Sequence, residues 1–211
     1  MGTPQTNIMI DLESLGNVPY NGVIIALGAV AFRMDEEVTY PVEHDFECSA
    51  GISKFFYPIC IVEQVQDHGF VIEADTLRWW LETPEKTAQL HAFLSSDYRT
   101  HIRDVFEKFA WWIASIIKDP KDILLWSHGV TYDCLHLQQK WDKVMQTSFN
   151  RICPFRQMRD TRTLFDAYGR KFSDKSPYPE WVPQRKHHPL EDSYVQAIAV
   201  QTAMRGLVHG E

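Results

Sequence analysis

Apolar and polar positions along the chain follow two periods, one of strands and one of helices. Ile8, Met9, Ile10 and Leu12 form a short apolar run that predicts a buried strand, broken by Ser14 and Gly16. Val23 to Phe32 is almost continuously apolar and predicts a central strand. After the polar turn Asp35-Glu36-Glu37, Val38 to Phe46 predicts a third strand, interrupted by Pro41, and the three together read as an antiparallel meander. Residues 49–72 carry no clean period and read as loop plus a short strand.

Helical spacing then takes over. Leu77, Trp79, Trp80 and Leu81 predict a helix capped by Asp75 or Thr76, and Pro84 to Leu94 a second with proline in its first turn. Ile102, Val105, Phe106, Phe109, Ile113, Ile116 and Ile117 predict a long amphipathic helix between Tyr98 and Lys118, ended by Asp119-Pro120. Ile123 to Trp126 reads as a buried strand, Ser127-His128-Gly129 as a turn, and Asp133, Leu135, Leu137 and Trp141 as one helix. Phe155 to Met158 predicts a last strand, and Asp160 or Thr161 caps a helix reaching Tyr168. Four prolines mark residues 173–189 as an irregular loop before a terminal helix, Leu190 to Leu207, with Val195, Ile198, Ala199 and Thr202 on one face. Strands first, then helices and strands in alternation, predict an α/β fold: a mixed five-stranded sheet flanked by helices, its later strands joined by right-handed crossovers.

Composition narrows this little. The 211 residues suit a single domain spanning 1–211, and 45% hydrophobic with 13% aromatic content is enough for a packed interior. No apolar run approaches a membrane span, and the polar N-terminus lacks a secretory pattern, so no membrane partner is expected. Met-Gly-x-x-x-Thr at residues 1–6 fits a myristoylation pattern, but no polybasic patch follows it. Cys48, Cys60, Cys134 and Cys153 have no Cys-x-x-Cys spacing, which points to free thiols and a cytoplasmic location. A net charge of −7 argues against a protein that coats nucleic acid broadly, though not against one that grips a strand end. The basic residues crowd a late segment that includes Arg151, Arg156, Arg159, Arg162 and Arg170, either a solvated face or a phosphate-tracking one.

The chemistry starts at the end of the first strand. Strand side chains alternate, so Asp11 and Glu13 share a face, where their repulsion would be relieved by a divalent metal with oxygen ligands. Asp-x-Glu alone is more often a solvated strand end. Asp133, in the first turn of a helix after a glycine turn, is a third candidate; by itself it reads as an ordinary first-turn acid. His187-His188-Pro189-Leu190-Glu191-Asp192 supplies a fourth acid, Asp192, with an imidazole in the loop before it. Trp79 and Trp80 lie about 100° apart on a helix, so at most one can face a substrate and at least one should be core. Arg159 and Arg162, on one face if helical, either hold phosphates or pair with Asp160 or Asp166.

These residues resemble the DEDDh, or RNase T-like (DnaQ-like), family of 3′–5′ exonucleases: Asp11-x-Glu13, Asp133, and His187 with Asp192 in the His-x4-Asp spacing. Thr76-Leu77-Arg78-Trp79-Trp80-Leu81, Trp126-Ser127-His128-Gly129-Val130-Thr131-Tyr132-Asp133 and Arg159-Asp160-Thr161-Arg162-Thr163-Leu164 are similar to the subgroup of T-even phage exonuclease A and the exoribonuclease RNase AS. Pro189 and Ser193 depart from the alanines usual in the family, and His188 stands one residue out of register. The resemblance implies an RNase H-like fold and hydrolysis of single-stranded DNA or RNA from 3′ ends to 5′-mononucleotides. It implies two Mg2+ or Mn2+ ions, ~3.5–4 Å apart in such sites, held by Asp11, Glu13, Asp133 and Asp192, with His187 as general base. Ser14 and Leu15 match residues that contact the terminal nucleotide, with Leu15 as a wedge. Family relatives are often dimers, so the resemblance also admits a homodimer.

Overall fold

The computed structural model describes residues 5–38, 54–96, 99–173, 175–181 and 186–210. A five-stranded sheet has the spatial order β3-β2-β1-β4-β5, built from β1 (Thr6–Ser14), β2 (Ile24–Phe32), β3 (Lys54–Pro58), β4 (Ile123–Ser127) and β5 (Met158–Asp160). β1 pairs antiparallel with β2 and parallel with β4, so it sits at the topological switch of the sheet. Seven helices are described: α1 (Val62–Gln66), α2 (Ala74–Trp80), α3 (Pro84–Ser95), α4 (Ile102–Ile116), α5 (Asp133–Met145), α6 (Thr161–Lys171) and α7 (Pro189–His209). The mixed sheet flanked by helices is the α/β architecture expected from the sequence.

Several boundaries differ. The expected strand from Val38 to Phe46 lies, beyond Val38, outside the described residues, and the third strand is Lys54–Pro58. That strand falls in the stretch whose pattern was ambiguous because Phe55 and Phe56 are both buried, which hides the two-residue alternation. α2 starts after Glu73 and has no side-chain cap; neither Asp75 nor Thr76 plays that part. Phe155 to Gln157 is a 3-10 turn, and the last strand begins only at Met158. Asp160 does cap α6, accepting from the Thr163 N–H. On α7 the expected face is wrong: of its four residues only Ala199 is buried, while Leu190, Ser193, Tyr194, Ala197 and Val200 face inward. The small residues there let the helix lie close to the sheet, a preference that apolar periodicity does not register.

That close approach decides where the site forms. Asp11 on β1 is paired with Gly28 on β2. A side chain at Gly28 would put its Cβ 2.2 Å from the Pro189 carbonyl carbon, so only glycine admits the start of α7 at this spot. α7 therefore begins directly over the acidic end of β1. Trp80, 1% exposed, donates its indole N–H to the Ser14 carbonyl (3.0 Å) and ties α2 to the same strand end.

Candidate active site

β1 keeps its alternation up to a bulge between Glu13 and Ser14. Ile10 and Leu12 enter the core, while Asp11 and Glu13, half-buried, form the floor of a cleft of ≈ 750 Å³. Asp133 reaches it from the first turn of α5, and Asp192 from the first turn of α7. His187, from the loop before α7, completes the lining. One ligand atom each of Glu13, His187 and Asp192 lies within 4.8 Å of the others.

The crowding of four acids has an electrostatic cost. Burial, then the charges of Asp133 and Asp192, hold Asp11 well above the usual carboxylate range; burial and the charge of Asp11 do the same to Glu13. Burial pushes Asp133 up to about 7, against backbone hydrogen bonds and Arg162, and burial with Glu191 pushes Asp192 up to about 7. Gln196, one turn after Asp192, donates its amide to Asp11 (3.3 Å), yet its own amide oxygen is buried with no partner. Four carboxylates, one imidazole and a partnerless amide oxygen form a donor set that suits a hard divalent cation.

The two adjacent histidines separate completely. His187 has a left-handed backbone (φ 58°), stays half-buried, and meets Trp79 in a T-shaped contact with 5.0 Å between ring centres. His188, 2% exposed, turns the other way and packs on Phe56 (4.5 Å) and Phe93 (5.9 Å). Its extended backbone is the geometry a following proline imposes. Burial, then Lys86 and Lys186, lower the His187 pKa, so the ring is neutral and able to accept a proton at neutral pH.

Other expected residues divide. Trp79 and Arg162 line the cleft, and the Lys86 ammonium lies 3.8 Å over the Trp79 ring. Ser14 also lines it, its hydroxyl bonded to Tyr132 (2.7 Å). Leu15 does not reach the cleft: at 1% exposure it is core, because the bulge turns it inward after Ser14. Arg159 is likewise absent from it; on β5 rather than on a helix with Arg162, it donates to the carbonyls of Arg156 (2.7 Å) and Met158 (2.9 Å). Sequence reasoning missed His128, Tyr132, Asn17 and Gln196, all in the lining. Gln196 was findable, since its spacing of four from Asp192 puts both on one helix face.

A 3′-5′ exoribonuclease family model, the Rv2179c-like domain, matches residues 6–204. The chain belongs to this family. No curated protein sequence matches it. Among solved structures, the domain is similar to exonuclease I of E. coli in a zinc-bound complex with single-stranded DNA, with a TM-score of 0.60 at 12% identity over 98% of this chain. It is similar also to cell-death related nuclease 4 (CRN-4), with a TM-score of 0.59 at 13% identity over 98% of the chain, and to exonuclease I of Methylocaldum szegediense, at 0.58, 11% and 97%. At such identities the likeness is one of fold, the RNase H-like exonuclease fold. The domain spans 42%, 64% and 41% of those three chains. No helix among its described residues is long and apolar enough to cross a membrane.

Proposed function

We propose that the protein is a metal-dependent 3′–5′ exonuclease that removes 5′-mononucleotides from single-stranded nucleic acid. The observation that carries this reading is the shared cleft of Asp11, Glu13, Asp133, Asp192 and His187, in a chain whose family is one of 3′-5′ exoribonuclease domains. Asp11, Glu13, Asp133 and Asp192 would hold two divalent ions, Mg2+ or Mn2+. Bound there, the ions supply Lewis acidity and neutralise charge that develops on the scissile phosphate.

The remaining work falls to the chain's own groups. His187 takes the proton from the attacking water through a ring nitrogen that lies within 4.8 Å of a carboxylate oxygen of Glu13 and of Asp192. Its neighbour Trp79 limits the positions open to the ring and presents an aromatic surface on which a base can stack. Arg162 adds a guanidinium for a phosphate of the retained strand. The exposed walls hold both acids and bases, so a strand is gripped over a short length, in keeping with the net charge of −7. Cys60, Cys134 and Cys153 are free thiols, which supports a reducing, cytoplasmic setting.

The test is a matched pair of single strands, RNA and DNA, labelled at the 5′ end and incubated with Mg2+ or Mn2+. A ladder of progressively shortened products is expected, with release stopped by a blocked 3′ terminus. Efficient cutting of a circular single strand, or the absence of any ladder with either metal, would overturn the proposal.

A further inference from the structure

The loop from Gly16 to Gly22 joins the end of β1 to the start of β2 and lies across a polar stripe of α5. Tyr132, His136 and Lys140 follow one another at intervals of four along this stripe, stacked on one face of the helix. Each donates to a different carbonyl of the loop. The Tyr132 hydroxyl reaches Gly16 (3.0 Å), the His136 Nε2–H reaches Val18 (3.2 Å), and the Lys140 ammonium reaches Pro19 (2.8 Å). At the neck of the loop, a Cβ on Gly16 would stand 2.7 Å from the Gly22 Cα. On the outer side, Glu73 accepts from the Asn17 N–H (2.9 Å) and donates its own N–H to the Leu15 carbonyl (2.8 Å).

Packing alone does not call for these polar heads. His136 and Lys140 are both 0% exposed. Among the described residues no ion pair includes Lys140, whose ammonium otherwise faces the Phe70 ring at 4.3 Å. Burial, and then Lys143, lower it to about 7, a sign of how unfavourable the site is for the charge. A methionine would fill the same volume without that cost. The Lys140 head instead gives the Pro19 carbonyl a donor, and the His136 head adds a side-chain donor to the Val18 carbonyl, which already closes the turn with the Asn21 (3.1 Å) and Gly22 (2.9 Å) N–H groups. The segment they hold begins at the cleft: Glu13, Ser14 and Asn17 line it.

We infer that His136 and Lys140 are positioning residues: by holding Val18 and Pro19 they fix the loop so that Ser14 and Asn17 stand preformed in the cleft as a shelf for the 3′-terminal nucleotide. This rests on the exonuclease reading above. A shelf that is already ordered spares the binding step the entropy of ordering it. Losing it therefore weakens binding of the end and leaves the chemistry of bound substrate intact.

Lys140→Met removes the donor and keeps the stem. Its KM for a 5′-labelled single strand should rise about tenfold, the scale of one lost hydrogen bond, with kcat within about twofold, from a standard mechanistic split. Amide hydrogen exchange of the peptide covering residues 15–22 should accelerate, with the rest of α5 unchanged. His136→Gln, which keeps an N–H donor, should retain the wild-type KM, and His136→Phe should raise it. A Lys140→Met protein with lower melting temperature but unchanged KM and unchanged loop exchange would overturn the inference in favour of plain structural support. If the wild-type protein shortens neither RNA nor DNA, the exonuclease reading falls. The exchange of residues 15–22 then still decides whether Lys140 and His136 hold the loop.

Discussion

Two clusters of buried or half-buried ionisable groups adjoin the segment from Glu13 to Pro19, and they solve opposite problems. On the cleft side, Asp11, Glu13, Asp133 and Asp192 crowd together; burial pushes all four toward protonation, and the neighbouring carboxylates push Asp11 and Glu13 further. On the loop side, His136 and Lys140 form no ion pair among the described residues, yet each ends on a backbone carbonyl. The amine and imidazole are donors, and a loop offers acceptors freely. Carboxylates are acceptors, and among the described residues the cleft gives them the Gln196 amide to Asp11 and backbone N–H groups to Asp133. On the proposed function, cations from outside the chain would complete the acidic cluster, whereas the basic one is completed from inside it. A buried cluster that its own chain leaves unsatisfied is the better marker of a site.

The largest test of this contrast is Asp11→Asn. Turnover should fall on the order of 10³-fold or more, the scale of removing a preorganised electrostatic element. The metal-free protein should melt at the same temperature or higher, because repulsion is relieved. Near-normal turnover would remove Asp11 from the site. Next come the two histidines. His187→Ala should slow turnover roughly 10²–10⁴-fold with little change in stability. His188→Ala should instead cost stability, about 2–4 kcal/mol as for other truncations of large core side chains. Chemical denaturation and single-turnover rates measured on both variants separate these outcomes, and a reversal would exchange their roles.

Gly28→Ala follows. Its Cβ would meet the first peptide of α7 at 2.2 Å, so α7 must shift, at a cost of about 1–3 kcal/mol for overpacking. Turnover should fall as well, since His187 and Asp192 move with the helix. A Gly28→Ala protein of normal stability and rate would mean that the helix start is not held against β2.

The smallest effect is also the one that separates the clusters by sign. Asp133 and Asp192 have folded pKa values of about 7, above the unfolded ones near 4. Between those limits the folded state binds more protons, so metal-free stability should fall as pH rises from about 4 to 7. Lys140 is lowered from 10.5 to about 7. Between those values the unfolded state binds more protons, so this group's contribution to stability should rise with pH from about 7 to 10.5. Melting curves of wild type against Asp192→Asn and Lys140→Met, with chelator present, isolate each slope. Saturating Mn2+ should flatten the acidic one and leave the other untouched. Equal slopes in wild type and variant would mean that the group is no more perturbed folded than unfolded.

The sequence by itself determined the ladder of strands and helices wherever one face is buried and the other is not. It determined that Asp11 and Glu13 share a face, since a strand has a period of two, and that Asp133 and Asp192 open helices. It led to the chain's family through short blocks in a fixed order. It did not determine which of two adjacent histidines faces the cleft, because that depends on a left-handed residue at 187 and on the aromatic pocket of Phe56 and Phe93 that receives His188. Nor did it reveal that Leu15 is core, because a one-residue bulge reverses the alternation at the point where it was being extrapolated. It gave no sign that Arg159 is held by nearby carbonyls, or that Gly28 sets the seat of α7. Local patterns record which way a side chain leaves its own element. Which elements meet, and how closely, is fixed by contacts between residues far apart in the chain, and those contacts made the site.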